Sequence, residues 1–256
     1  MDSVNKTLYI PLYGKAYVSR RGLFINDGTA EKIWEAEGFT LRGKAKSKWL
    51  AFYMGIRAAV FDEWVRETAS EGGVVIHVGC GLDGRAVRVG GGLTWYDVDL
   101  PEVIAERRKY YTESEGYKML EGDLRDPAWL DRIPALPATV VMEGVSMYLT
   151  EEELRGFFSA LAARFPSVSL LTDCYTALAA RLSRRGNPVK EVGVTSVHGL
   201  DEPRILESGL RFICEREMTP RKYIDELSGI EKHLFARLYA GNFSKKLYRL
   251  YEFGTV

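Results

Sequence analysis

Val74-Val75-Ile76-His77-Val78-Gly79-Cys80-Gly81-Leu82-Asp83-Gly84-Arg85 is the stretch that decides the fold. Val74 to Val78 form a short, apolar, largely β-branched run, the composition of a strand buried on both faces in a parallel sheet. Glycines follow at once, and glycine serves where a backbone turns sharply or approaches a ligand closely. A strand that runs into a glycine turn and then a helix reads as the opening unit of a nucleoside-binding α/β sheet, with a tight strand-to-helix turn that holds no ligand as the alternative.

Downstream, the alternation repeats. Thr94 to Val98 reads as a second strand, followed by a helix from Pro101 to about Tyr110, with proline in its first turn. Tyr117 to Glu121, Thr139 to Glu143 and Val168 to Thr172 read as further strands. Glu151 to Arg164 is an amphipathic helix whose Thr150 and Glu153 make a capping-box pattern. Such a series predicts a doubly wound α/β sheet of about seven strands, mostly parallel. The tail adds a strand near Arg211 to Arg216, helical material from Thr219 to Tyr239 and a last strand near Lys245 to Phe253.

Upstream, residues 1–70 read as a helical extension. Ala30 to Glu37 has helical spacing. From about Ala45 to Thr68 the apolar residues Trp49, Phe52, Tyr53, Ile56, Ala59, Val60 and Val65 mark one buried face. Residues 174–204 break the rhythm with Arg181, Arg184, Arg185 and the Gly186-Asn187-Pro188 turn signal. They follow a strand, so they stand at the carboxyl edge of the sheet and are expected to form a lid. A lid arginine such as Arg184 would meet an anionic substrate; a solvated helix face is the alternative. The whole chain, 1–256, is expected to be a single domain.

The 256 residues hold 35 basic and 35 acidic side chains, a formal charge of zero. That balance lacks the pull of a dedicated nucleic-acid binder. Cys80, Cys174 and Cys214 make an odd number without a CxxC, and His77, His198 and His233 are scattered, so neither a disulfide framework nor a metal site is expected. There is no signal-peptide pattern and no apolar run of roughly 20 residues. A soluble cytoplasmic protein without membrane partners is expected.

Three further segments carry candidate chemistry. Asp97 and Asp99 close the second strand on one face, and a carboxylate there can accept from both ribose hydroxyls. Asp99, 20 positions after Gly79, is the better placed; a helix N-cap is the other use for such an Asp. Gly122-Asp123-Leu124-Arg125 follows the third strand and, taken alone, also reads as a solvated turn with an Asp–Arg pair. Glu143 ends a buried strand, which calls for a partner or a ligand. Gly79, Gly81 and Gly84 fit the GxGxxG spacing of a dinucleotide site, whereas Gly79 and Gly81 alone fit the looser loop of class I methyltransferases. The glycines do not choose between them.

Together the segments resemble the leucine carboxyl methyltransferase family, most nearly its tetracenomycin-type polyketide O-methyltransferase branch. The carrying residues are PLYGKA (11–16), IRAAVFD with Arg57 and Asp62, VGCGLDGRAVR, YDVDLPEV, GDLRDP and EGVSMYLTEEE, in matching order from about Thr7 to Phe165. The resemblance implies a class I fold and an S-adenosylmethionine-dependent O-methyltransferase. It implies that Lys15 and Arg57 hold the methionine carboxylate of S-adenosylmethionine and that Gly79, with Gly81 in the same loop, lies under the cofactor. Asp99 would take the ribose, Asp123 and Leu124 the adenine, and Glu143 the methionine amino group, with Tyr148 on the substrate side. His77 departs from the pattern, because many methyltransferases carry an acidic residue there. Gly84, where a larger residue is usual, keeps a dinucleotide oxidoreductase as the alternative; a non-catalytic cofactor-binding module is a third reading. A carboxylate acceptor, on a small molecule or a peptide, is ionised at pH 7, whereas a phenol needs a base. No histidine sits in a motif that offers one, which favours the carboxylate.

Overall fold

A computed structural model describes residues 3–38, 41, 43–183 and 197–255. Seven strands form one sheet in the order β3-β2-β1-β4-β5-β7-β6. Their ranges are β1 Val74–Val78, β2 Thr94–Asp99, β3 Tyr117–Glu121, β4 Ala138–Met142, β5 Val168–Tyr175, β6 Arg211–Arg216 and β7 Tyr248–Gly254. The first five pair in parallel, and β7 runs antiparallel between β5 and β6. Every residue of β1 and β4 is buried, as the continuous apolar runs require when helices cover both faces.

The strand order reverses at β1 and β4, so their carboxyl ends open the crevice in which ligands bind in such sheets. One face packs against α6 (Glu151–Arg164) through Phe157, Phe158 and Leu161. The capping box at Thr150 and Glu153 is present. The other face packs against α3 (Lys48–Thr68), whose Phe52, Ile56, Phe61 and Trp64 are buried.

The helical extension comprises α1 (Ser3–Arg20), α2 (Gly28–Glu37) and α3. Helix α1 runs through Pro11 and Gly14. Gly14 fits because α3 passes so close that a Cβ there would lie 2.7 Å from Met54 Cβ. One residue on, Lys15 is buried at the crevice.

Some boundaries differ from the sequence expectation. The expected helix at 45–68 is a 3-10 turn, Gly43–Lys46, followed by α3. The glycine turn opens only a five-residue helix, α4 (Arg85–Val89), and α5 covers Pro101–Arg107. Strand β5 continues through Asp173, Cys174 and Tyr175, so the segment expected to form a lid leaves the sheet only after Tyr175. Its first part is α7 (Ala177–Ser183); residues 184–196, with Arg184 and Arg185, lie outside the described residues. The chain returns along the site, with the His198 N–H donating to Met147 O and the Leu200 N–H to Tyr175 O. The tail divides into α8 (Arg221–Ile224), α9 (Gly229–Leu238) and α10 (Gly241–Lys245) before β7.

Candidate functional site

A cavity of about 470 Å³ lies at the carboxyl ends of the strands. Its polar end, over β1 to β3, is lined by Gly79, Gly81, Asp99, Gly122, Asp123 and Leu124. Its apolar end, over β4, β5 and β7, is lined by Met54, Met147, Tyr148, Tyr175 and Tyr248.

At the polar end Gly79 has φ +63°, and a Cβ there would run into the Val145 side chain. Only glycine fits both the backbone and the space. The Gly81 N–H donates to Asp99 Oδ2 and the Leu100 N–H to Asp99 Oδ1, each at 2.8 Å. Burial nevertheless pushes the Asp99 carboxyl up to about 6. Asp97 points elsewhere: it pairs with Arg107 and accepts from the Tyr117 hydroxyl at 2.8 Å. Of the two carboxylates left open by alternation, Asp99 faces the cavity. Leu100, not Asp99, takes the N-cap position of α5.

Asp123 is half-exposed and pairs with Arg125 at 2.6 Å, with Leu124 beside it. This Asp–Arg turn is present as drawn from the sequence, and all three residues line the cavity.

At the centre stands Glu143. Arg57 Nε donates to it at 3.0 Å, Arg85 also bonds it, and Lys15 Nζ lies 3.7 Å away. Burial would raise its pKa, but Lys15, Arg57 and Arg85 hold it well below the usual carboxylate range. Lys15 lies 2.6 Å from Asp83, and Arg57 2.8 Å from Asp173. The structure therefore brings Lys15, Arg57 and Glu143 together from α1, α3 and the end of β4. Arg57 does not pair with Asp62, five residues on in the same helix: Asp62 pairs with Arg85 at 2.7 Å and Arg88 at 2.8 Å. The reason is helical geometry, since residues five apart do not share a face as those three or four apart do.

Tyr148 lies on the 3-10 turn Ser146–Tyr148, lines the cavity and is 40% exposed. Arg184 lies outside the described residues, and Arg181 is exposed. The sequence reading missed Asp173, Arg85 and Arg88. Asp173 within Leu170-Leu171-Thr172-Asp173-Cys174 carries the same signal that singled out Glu143, a carboxylate in an apolar strand.

The residues fit S-adenosylmethionine. A glycine floor that no Cβ can enter and an acceptor carboxylate at Asp99 suit adenosine. Paired groups of both signs at Lys15, Arg57 and Glu143 suit an α-amino acid. Helix α4, with five residues, and the buried ion pairs of Arg85 and Arg88 do not make the pyrophosphate cradle of a dinucleotide site.

Comparison with known proteins agrees. The sequence pattern of the leucine carboxyl methyltransferase family matches residues 11–162. The tetracenomycin polyketide synthesis O-methyltransferase TcmP of Streptomyces glaucescens is 30% identical over 244 residues, 91% of this chain and 89% of that protein. The S-adenosyl-L-methionine-dependent methyltransferase dpfgK of Gibberella zeae is 26% identical over 197 residues, 70% of this chain and 66% of that protein. Among solved structures, magnesium protoporphyrin IX methyltransferase from Synechocystis with bound SAH aligns over 91% of this chain and 96% of its own, at 14% identity and a TM-score of 0.55. A duf574 family protein from Streptomyces avermitilis aligns over 89% of each chain, at 14% identity and a TM-score of 0.58. At these identities the two structures speak for the fold. The chain belongs to the leucine carboxyl methyltransferase family and is an S-adenosylmethionine-dependent O-methyltransferase.

Proposed function

We propose that this enzyme methylates a carboxylate of a small, largely apolar molecule. Lys15 and Arg57 take the methionine carboxylate of the cofactor and Glu143 its ammonium group. Gly79 and Gly81 pass under the cofactor, Asp99 accepts from the ribose, and Asp123 and Leu124 meet the adenine. The charge of the lining supports this: Asp83, Asp99, Asp123 and Glu143 stand against Lys15, Arg57 and Arg125. A surplus of carboxylates suits the net positive charge of S-adenosylmethionine and disfavours the anionic pyrophosphate of a dinucleotide.

When bound, S-adenosylmethionine supplies a methyl group activated by the sulfonium charge. The chain's own residues hold the acceptor in line and keep water out. Met54, Met147, Tyr148, Tyr175 and Tyr248 do this at the apolar end. The name of the Streptomyces glaucescens relative supports a small-molecule acceptor.

One observation carries the choice of carboxylate: among the described residues, the apolar end holds no free base. Burial pushes the phenols of Tyr148, Tyr175 and Tyr248 up. His77 faces Arg85 and Asp97, and His198 is exposed. An acceptor already ionised near neutral pH needs no base. Incubation with aryl and alkyl carboxylic acids and with phenols tests this. Base-labile methyl esters and, at saturating cofactor, a rate level from pH 6 to 9 are expected. Base-stable aryl ethers, with a rate climbing toward the phenol pKa, would refute it.

A further inference from the structure

In the register of β1 and β2, His77 stands opposite Asp97. The His77 side chain is 2% exposed, and its Nε2 lies 3.2 Å from Arg85 Nη1. A guanidinium has only donors, so Nε2 accepts. The neutral ring then carries its proton on Nδ1, 3.3 Å from Asp97 Oδ1.

Each nitrogen leads to a different end of the cofactor site. Arg85 also bonds Glu143, and Asp62 at 2.7 Å. Asp97 pairs with Arg107. Arg107 donates to Gly81 O at 2.9 Å and Asp83 O at 2.7 Å. The Gly81 N–H in turn holds Asp99. Asp83 supplies a second, parallel link through Lys15 and Arg85.

We propose that His77 is a positioning residue that joins the two ends of the cofactor site, setting Arg85 against Glu143 with one nitrogen and Asp97 with Arg107 against the glycine loop with the other. A carboxylate at 77 would face Asp97 across the strand pair with like charge. The imidazole serves both neighbours: it accepts from Arg85 on one side and turns its Nδ1 proton toward Asp97 Oδ1, 3.3 Å away, on the other.

The proposal rests on the reading that the cavity holds S-adenosylmethionine, and two ligands separate the two ideas. S-adenosylhomocysteine reaches both ends, whereas 5′-methylthioadenosine lacks the amino-acid portion. His77→Asn keeps a donor for Asp97 and loses the acceptor for Arg85. Its Kd for S-adenosylhomocysteine is expected to rise about ten-fold, with methylthioadenosine within about two-fold. His77→Gln keeps an acceptor for Arg85 and loses the donor to Asp97; both ligands are expected to weaken together, by about five-fold. Should these variants fail to fold, Arg85→Lys keeps a cation for Glu143 without a second nitrogen for His77, and is expected to behave as His77→Asn. Equal changes for both ligands in His77→Asn or Arg85→Lys, or unchanged affinities in every folded variant, would overturn the proposal and leave His77 a core residue. Wild-type protein that binds neither ligand would instead overturn the cofactor reading beneath it.

Discussion

The two ends of the cavity are built on opposite principles. The polar end and centre are held by charges that hold each other: Lys15, Arg57, Arg85 and the side chain of Arg88 are buried among Asp27, Asp62, Asp83, Glu143 and Asp173. No member of this set can leave without stranding another in low dielectric. The apolar end is walled by tyrosine and by methionine, whose flexible side chain adapts to an occupant. Tyr175 and Tyr248 meet there edge to face at 4.7 Å. The difference teaches that the cofactor site is formed in advance, whereas the acceptor site leaves room for specificity to change.

The sharpest way to break this contrast is Glu143→Ala. It leaves Lys15, Arg57 and Arg85 under-paired and is expected to cost about 3–5 kcal/mol, read from the urea midpoint, with loss of S-adenosylhomocysteine binding. Gly79→Ala drives a Cβ into Val145 and is expected to cost about 1–3 kcal/mol in the same assay.

A third test uses pH. Asp99 is pushed up to about 6 by burial, and the proposed ribose contact would favour its ionised form. Ligand binding therefore releases a proton between about pH 5 and 7, and affinity rises as pH rises through this window. Titration calorimetry is expected to show S-adenosylhomocysteine binding about ten-fold weaker at pH 5 than at pH 7. Asp99→Asn is expected to be level across that range; an equally steep variant would exclude Asp99 as the group responsible.

At the apolar end, Tyr148→Phe is expected to change the acceptor KM by about three-fold and stability by less than about 0.5 kcal/mol, with cofactor affinity unchanged. An equal loss of cofactor affinity would erase the division between the ends. Comparably small is Asp123→Asn, which removes a half-exposed pair with Arg125. Its effect on stability is expected to stay below about 1 kcal/mol, with at most a few-fold change in S-adenosylhomocysteine affinity.

Where structure follows from local pattern, the sequence was legible to the residue. Strand β3 and helix α6 span Tyr117–Glu121 and Glu151–Arg164 as read. Strand β5 was cut short at Thr172, because an aspartate reads as a strand end unless its partner is known. The partner, Arg57, is 116 residues away. Helix α4 is short because Gly90, Gly91 and Gly92, all at positive φ, follow it. Lys15, Arg57, Asp99 and Glu143 were legible as candidates through the resemblance. Which carboxylate each cation meets was not, because pairing is a property of the assembled sheet. The acceptor end was least legible: its walls come from α3, the turn after β4, the end of β5 and the start of β7, and each piece alone reads as ordinary core.

The place of β7 has a consequence for synthesis. It is made after the other six strands and inserts between β5 and β6, supplying the partner that β6 has in the sheet and one edge of β5. As the chain leaves the ribosome, the parallel strands that carry the glycine loop and Asp99 emerge well before Tyr248. The nascent chain thus holds the parts of its nucleoside site while β5 still presents an open, aggregation-prone edge. The last few residues of the sheet close that edge and wall the acceptor end in the same step.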